Sequence, residues 1–129
     1  MLLLDTHAFV WLASDVAQLP TAARETIRRE AARLFVSSIS ALEIGLLVKR
    51  GRLDLPLPPD EFVERALAHH GIQEIPVDHH LALASTALPD IHNDPFDRIL
   101  VATAQARDMR ILSKDAQLAR YPGTHVVWD

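Results

Sequence analysis

The sequence predicts an α/β fold in which a central, mostly parallel sheet of four to five strands lies between layers of helices. Short apolar segments alternate with helical patterns along the chain, which is the order that parallel sheets require. The first of these segments, "LLL" at residues 2–4, is uniformly apolar, as expected of a strand that is buried on both faces. The chain has 129 residues and no internal repeat or low-complexity segment, which is typical of one domain. We therefore expect a single domain over residues 1–129.

The predicted elements follow one another without a long unstructured segment between them. The predicted strands are 2–4, 34–37, 72–77, 110–113 and 125–128. The predicted helices are 6–14, 20–34, about 40–50, 60–70, 79–88, 95–108 and the short 115–120.

In the first half of the chain, apolar runs and helix signals justify each element. "LLL" forms the first strand and leads into a helix. "PTAARETIRREAARL" begins with Pro20 and Thr21, which are typical of a helix start, and carries apolar residues at helical spacing. "LFVS" predicts a buried strand, and the helix that follows from about Ser40 ends at Gly51.

In the second half, the proline-rich "RLDLPLPP" predicts a loop that separates two helices. "IQEIPV" predicts a short strand. "HNDPFDRILVATAQA", residues 92–106, contains Asp94 and Pro95, which predict a helix start, followed by an alanine-rich run that is almost uncharged. Such a helix is expected to pack closely against the sheet. "RILS" and "HVVW" supply the last two strands.

Composition limits the classes of protein that remain. The net charge is −4, which argues against binding nucleic acid through bulk positive potential unless a bound divalent cation helps to offset phosphate charge. The chain has no cysteine, which excludes disulfides and thiolate metal sites and favours an intracellular, cytoplasmic protein. No segment resembles a signal sequence or a membrane span.

Four acidic residues are predicted to meet at one edge of the sheet. Asp5 and Asp115 follow strands, Glu43 follows the second strand in the next helix, and Asp97 lies in the first turn of the 95–108 helix. In a parallel sheet these positions lie at the carboxyl ends of the strands, where ligands bind. Clustered carboxylates repel one another unless a cation compensates them, and oxygen ligands suit Mg²⁺ or Mn²⁺. The residues therefore predict a metal site at this edge.

Each acid also has a purely structural interpretation. Ser40 and Glu43 have the spacing of a capping box, and Asp5 suits a turn at a strand end. Asp94 suits the N-cap position before Pro95, and Asp97 suits the positive end of the same helix. Ser113 is a candidate cap for the segment that carries Asp115. The residues alone leave both interpretations open.

The histidines and basic residues give weaker signals. The seven histidines lack the spacing of a zinc site, and among them His92 alone lies near the acidic signature, where it is a candidate substrate contact. Arg98, together with Lys49, Arg50 and Arg52, is placed to reach a phosphate. The other arginines form a mixed-charge helix face that is typical of solvent exposure.

Four segments of the sequence resemble, in order, the conserved motifs of PIN-domain proteins, specifically VapC-type toxin ribonucleases. They are "LLLDTHAFVWL", "SSISALEIGLLVKRGRLDL", "HNDPFDRILVATAQA" and "ILSKDAQLARYPG". The resemblance runs from Leu2 to about Tyr121.

This resemblance implies a PIN-like three-layer sandwich and a metal-dependent endoribonuclease that acts as the toxin of a type II toxin–antitoxin pair. The residues that match the family's catalytic and metal-binding acids are Asp5, Glu43, Asp97 and Asp115. The residues expected to support them or to contact substrate are Asp94, Ser40, Ser113 and Arg98.

The resemblance also implies a cofactor and partners. The cofactor would be Mg²⁺ or Mn²⁺, and the partners would be an RNA substrate, a cognate antitoxin and a second copy of the chain in a homodimer. The sequence also leaves two alternatives open, which are a PIN nuclease of RNA processing or decay and a non-catalytic binding module whose acids only cap helices.

Overall fold

A computed structural model describes all residues from 1 to 129 and contains a five-stranded sheet flanked by six α-helices. The strands are β1 (Leu2–Leu4), β2 (Leu34–Ser37), β3 (Gln73–Ile75), β4 (Arg110–Leu112) and β5 (Val126–Val127). The helices are α1 (Thr6–Ser14), α2 (Thr21–Arg29), α3 (Ser38–Lys49), α4 (Pro59–His70), α5 (His79–Thr86) and α6 (Pro95–Arg107). Two 3₁₀ turns, Val16–Gln18 and Ala116–Arg120, complete the regular structure.

The sheet has the order β3-β2-β1-β4-β5, and every pairing is parallel. Strand β1 is central, with Leu3 opposite Phe35 of β2 and Ile111 of β4. All the strands therefore end at the same edge of the sheet. The predicted α/β class and the parallel sheet are confirmed.

The two faces of the sheet are covered by separate apolar clusters. Leu2 and Leu4 of β1 belong to a cluster that includes residues of α1, α2 and α4. Leu3, which lies between them in sequence, belongs to the cluster on the other face, with residues of α6 and Tyr121. This alternation follows from the two-residue period of a strand. The result is the predicted three-layer arrangement.

Helix α6 packs against the sheet as its composition predicted. Its residues from Leu100 to Ala104 are all buried. Asp94 is the N-cap and accepts a hydrogen bond from the Phe96 backbone N–H at 2.9 Å, and Pro95 occupies the first turn. The small side chains of Ala102 and Ala104 let the helix lie close to its neighbours on several sides.

The start of α3 differs from the prediction. The helix begins at Ser38, and its N-cap is Ser37, whose side chain accepts a hydrogen bond from the Ile39 N–H at 3.1 Å. The predicted capping box between Ser40 and Glu43 is therefore wrong, and Glu43 lies in the second turn rather than the first. The segment contains three candidate cap serines, and strand β2 continues far enough to make Ser37 the one with extended backbone.

Other boundaries move by a few residues. The helix predicted from residue 20 ends at Arg29, and the helix predicted at 115–120 is a 3₁₀ turn over Ala116–Arg120. None of the helices is long and apolar enough to cross a bilayer.

Candidate metal centre

An acid cleft of about 380 Å³ lies at the carboxyl edge of the sheet. Its lining residues are Asp5, His7, Trp11, Glu43, Asp94, Asp97, Ser113, Lys114 and Asp115. The structure thus brings together the four predicted acids and Asp94, which come from four separate segments of the chain. Of the polar residues predicted to support them, Ser113 also lines this cleft.

Asp5 follows β1 and is the N-cap of α1. Its carboxylate accepts a hydrogen bond from the Ala8 N–H at 2.7 Å, and its own N–H donates to the Leu112 carbonyl of β4 at 3.0 Å. Burial raises the pKa of this carboxyl, while the Ser113 hydroxyl and the Ala8 N–H act to lower it. The backbone around β1 and β4 therefore fixes the first acid at the edge of the central strand.

Glu43 reaches the cleft from the second turn of α3. Burial raises its pKa, the Thr6 hydroxyl lowers it, and the negative charges of Asp94 and Asp5 raise it further. Ser40, one turn earlier on the helix, is buried and accepts a hydrogen bond from Thr6 Oγ1 at 2.9 Å. Ser40 thus joins α3 to α1 below the acids instead of capping its own helix.

Asp97 lies in the first turn of α6 and lines the cleft. Burial, followed by the negative charge of Asp94, raises its pKa to about 7, although His92 opposes this. Glu43 and Asp115 add smaller contributions in the same direction as Asp94. The carboxylates are therefore close enough to repel one another in the absence of a cation.

Asp115 and Ser113 sit on the loop that follows β4. Asp115 is the N-cap of the 3₁₀ turn and accepts a hydrogen bond from the Gln117 N–H at 3.0 Å. The Ser113 hydroxyl accepts one from the Asp115 N–H at 3.0 Å. Ser113 therefore orders the loop below Asp115, and Asp115 itself supplies the cap that the sequence had suggested for Ser113.

His92 contacts two of the acids, an arrangement that the sequence did not predict. Its Nε2 lies 3.3 Å from Oδ2 of Asp97 and 3.1 Å from Oδ2 of Asp115. The backbone N–H of Asp94 donates to Nδ1 at 3.1 Å, so the neutral ring carries its proton on Nε2. His92 therefore donates to both carboxylates. The proximity of His92 to Asp94 in the sequence was a signal that His92 lies near the acids. Its contacts with Asp97 and Asp115 depend on the conformation of the loop before α6, which the sequence does not show.

Arg98 faces into the protein and not toward the cleft. Its guanidinium donates to the backbone carbonyls of Ser85, Leu88, Pro89 and His92 at 2.8–3.2 Å. The expectation that Arg98 contacts a phosphate does not fit this geometry, because the donors are already used on the α5–α6 loop. Arg98 instead holds the loop that carries His92.

Lys114 is the only lysine or arginine that lines the acid cleft. The basic residues Lys49, Arg50 and Arg52, which were expected to reach a phosphate, do not line it. The acids therefore outnumber the fixed cationic groups around the cleft.

The donor set fits a hard divalent cation. The available ligand atoms are carboxylate oxygens, which suit Mg²⁺ or Mn²⁺. The ligand atoms of Asp97, Asp115 and His92 lie within 4.8 Å of one another. Because the Nε2 of His92 carries a proton, the carboxylates rather than the imidazole are the natural ligands. A cation would also relieve the repulsion that raises the pKa of Asp97.

The fold and this site define the class of protein. The family model of the PIN domain matches residues 2–124, and the chain belongs to the PIN domain family.

Among individual proteins, the chain is 32% identical to Ribonuclease VapC22 of Mycobacterium tuberculosis (strain ATCC 25618 / H37Rv), over 98% of this chain and 97% of that protein.

Solved structures share the fold at low sequence identity. A VapBC2 structure from Rickettsia felis, bound to a DNA fragment from its promoter, superposes with a TM-score of 0.74 at 14% identity and covers 99% of this chain and 98% of that one. FitAcB from Neisseria gonorrhoeae superposes with a TM-score of 0.63 at 17% identity, over 98% of this chain and 96% of that one. At such identities the likeness establishes the fold.

Proposed function

We propose that this protein is an endoribonuclease that depends on Mg²⁺ or Mn²⁺. The observation that carries the proposal is the convergence of Asp5, Glu43, Asp97 and Asp115 in one cleft of a PIN domain. The 32% identity to a protein named as a ribonuclease supports RNA as the substrate. A module whose acids only cap helices would not need Glu43 and Asp97 beside each other, since neither is an N-cap.

In this proposal, Asp5, Glu43, Asp97 and Asp115 hold the cation. When bound, a divalent cation polarises a phosphodiester and lowers the pKa of a water molecule. The protein's own part is to fix the ligands: the Ala8 N–H and the Ser113 hydroxyl orient Asp5, and the linked Thr6 and Ser40 hydroxyls support the Glu43 side of the cleft.

Asp94 and His92 have supporting roles on the other side of the cleft. Asp94 starts α6, orients the His92 ring through its N–H, and adds negative charge next to Asp97. His92 donates from Nε2 to Asp97 and Asp115. Together they set the spacing of the two carboxylates.

The same proposal makes the protein a toxin with an antitoxin partner. The solved relatives include toxin–antitoxin assemblies, among them one from Klebsiella pneumoniae that superposes with a TM-score of 0.66. An apolar groove of about 590 Å³, lined by residues that include Ala13, Leu57, Phe62 and Ala66, offers a surface for a protein partner. Exposed Leu42 and Leu83 are candidate contacts of a homodimer.

Cleavage of RNA by the purified protein tests the enzyme. We expect cleavage with Mg²⁺ or Mn²⁺, none with EDTA, and a loss of at least about 100-fold in Asp97→Asn, because the metal loses a central ligand. Asp78→Asn is the control, because Asp78 is also an acid at the start of a helix but lies outside the acid cleft. Equal activity of Asp97→Asn and the parent would rule the proposal out.

Controlled expression in bacteria tests the toxin. Parent protein should slow growth, Asp97→Asn should not, and co-expression of the cognate antitoxin should restore growth. Sequencing of RNA ends from the same cultures would identify the target. Undisturbed growth with active protein would favour a nuclease of RNA processing or decay.

Light scattering of the purified chain would show whether it forms the expected homodimer.

A further inference from the structure

Three aromatic side chains form a row beside the acid cleft. We call His7, Trp11 and Trp128 the aromatic edge. The ring centroids of His7 and Trp11 are 5.6 Å apart, and those of Trp11 and Trp128 are 5.9 Å apart. His7 and Trp11 come from one face of α1, whereas Trp128 follows β5 at the other end of the sequence. The fold therefore gathers them at the carboxyl edge of the sheet, next to the acids.

Core packing does not account fully for this row. Trp11 and Trp128 contact the apolar cluster that includes α1 and β1, but both stay only partly buried, and His7 is exposed. By comparison, Phe9 of the same helix is 1% exposed. The aromatic edge thus keeps ring surface available to a ligand at the rim of the acid cleft.

A neighbouring cleft of about 490 Å³ lies beside the acid cleft. It is lined by residues that include Trp128, Ala116, Ala119 and Val126, and it shares Ser113 and Lys114 with the acid cleft. The two clefts therefore adjoin at these two residues. The first cleft is acidic, and the second combines apolar and aromatic surface with one cation.

Lys114 stands where the two clefts meet. Its side chain is exposed and takes part in none of the ion pairs of the structure. A cation at this position is available to a phosphate group that passes from one cleft to the other. Aromatic surface and a nearby cation are the two features by which proteins bind single-stranded nucleic acid without reading its sequence.

We propose that the aromatic edge and the neighbouring cleft bind an unpaired nucleotide that flanks the cleaved phosphodiester, with its base against Trp11 and Trp128 and its phosphate on Lys114. This inference rests on the proposed function, since it assumes that RNA enters the acid cleft. It adds a substrate requirement: the base next to the cleavage site must be unstacked from its neighbours. A paired base in an RNA helix does not offer its face to a protein ring.

Tryptophan fluorescence gives a direct test. The chain has two tryptophans, and both belong to the aromatic edge. A single-stranded 2′-O-methyl RNA of about ten nucleotides, added with Mg²⁺, should quench the emission of the parent protein. The same strand annealed to its complement, or a strand of abasic residues, should leave the emission nearly unchanged. Trp11→Phe and Trp128→Phe then assign the quenching to one ring or to both.

Cleavage kinetics give a second readout. Stacking of one base on a protein ring changes affinity by about 5- to 150-fold. Trp128→Ala should therefore raise KM by about tenfold for single-stranded RNA, with kcat changed much less. Lys114→Ala should also raise KM, whereas Lys49→Ala is the matched control, because Lys49 is the only other lysine of the chain and lies outside both clefts. Leu83→Ala controls for the loss of an exposed apolar side chain.

The outcomes separate this inference from the proposed function. If RNA is cleaved but Trp128→Ala and Lys114→Ala keep the parent KM and no quenching occurs, the inference fails and the nuclease stands. If single strands quench the tryptophans but no RNA is cleaved, the binding surface stands and the nuclease fails. If the emission responds to a purified protein partner and not to RNA, the row is a protein contact and the inference is overturned.

Discussion

Three acids of the cleft also cap the helix or turn that follows them. Asp5, Asp94 and Asp115 each accept a hydrogen bond from an N–H at the start of the helix or turn that follows. Asn accepts such a bond as well as Asp does, but it carries no charge. Substitutions at these positions can therefore separate the capping role from the electrostatic role.

Asp5 allows this separation at the level of stability. In the absence of metal, we expect Asp5→Asn to be as stable as the parent or more so. The variant keeps the helix cap and removes a carboxyl group whose pKa is raised by burial. Asp5→Ala should be less stable than Asp5→Asn by about 1 kcal/mol, because the Ala8 N–H loses its acceptor. Urea unfolding of the three proteins in EDTA measures both differences. A clear loss of stability in Asp5→Asn would contradict the idea of a repulsive cluster.

The raised pKa of Asp97 predicts how metal binding depends on pH. Its pKa is raised to about 7, mainly by burial and by the charge of Asp94. A carboxylate must be ionised to hold a cation, so metal binding displaces a proton from Asp97 below this pH. We expect Mn²⁺ affinity to fall by up to about tenfold for each pH unit below about 7 and to level off above it. Calorimetry between about pH 5.5 and 8.5 measures the dependence, and an affinity that stays constant below about pH 7 would contradict it.

At the scale of elements, the sequence predicted what depends on local pattern and missed what depends on contacts across the fold. Short, mostly apolar segments predicted the five strands, and the Asp94–Pro95 pair predicted the start of α6 correctly. The start of α3 was wrong because three serines compete for the cap and the end of β2 decides among them. The contacts of Arg98 were not predictable, because they depend on the conformation of the segment from Ser85 to His92, which no local sequence pattern indicates.

The α5–α6 loop depends on that arginine. Arg98 donates to carbonyls at four positions between Ser85 and His92, and hydrogen bonds to a charged group contribute about 1.5–3 kcal/mol each before competing terms. Arg98→Lys cannot span these acceptors, since an ammonium lacks the planar fork of a guanidinium. We expect a loss of at least about 2 kcal/mol in stability and weaker Mn²⁺ binding, because His92 is no longer held beside Asp97.

Arg107 provides the control for this prediction. It lies at the end of the same helix, is exposed, and makes no side-chain hydrogen bond or ion pair. Arg107→Lys should match the parent in urea unfolding and in calorimetry. Parent-like behaviour of Arg98→Lys in both measurements would mean that the loop holds its shape without the guanidinium.

At the scale of the whole molecule, topology accounts for the site better than any single motif does. The order β3-β2-β1-β4-β5 puts β1 between β2 and β4, so the residues that follow these strands must share one edge. The alternation of strands and helices was enough to predict that edge and its acids. The contact between Trp11 and Trp128 was not predictable, because it joins the first helix to the residue that follows the last strand.

A cation that binds this edge should stabilise the entire domain. Binding to the native state alone adds about 2.7 kcal/mol when the free cation is 100 times its Kd. For a chain of 129 residues, this corresponds to a rise in Tm of roughly 5–15 °C. Calorimetric melts with Mn²⁺ and with EDTA measure the rise. It should disappear in Asp97→Asn and persist in Asp78→Asn, and a rise of equal size in both variants would place the cation elsewhere.

The central position of β1 also has a consequence during synthesis. Asp5 leaves the ribosome well before Asp115, but the two acids line the same cleft, and the Asp5 N–H bonds to Leu112 of β4. A nascent chain therefore cannot assemble the complete cleft until Asp115 has been translated.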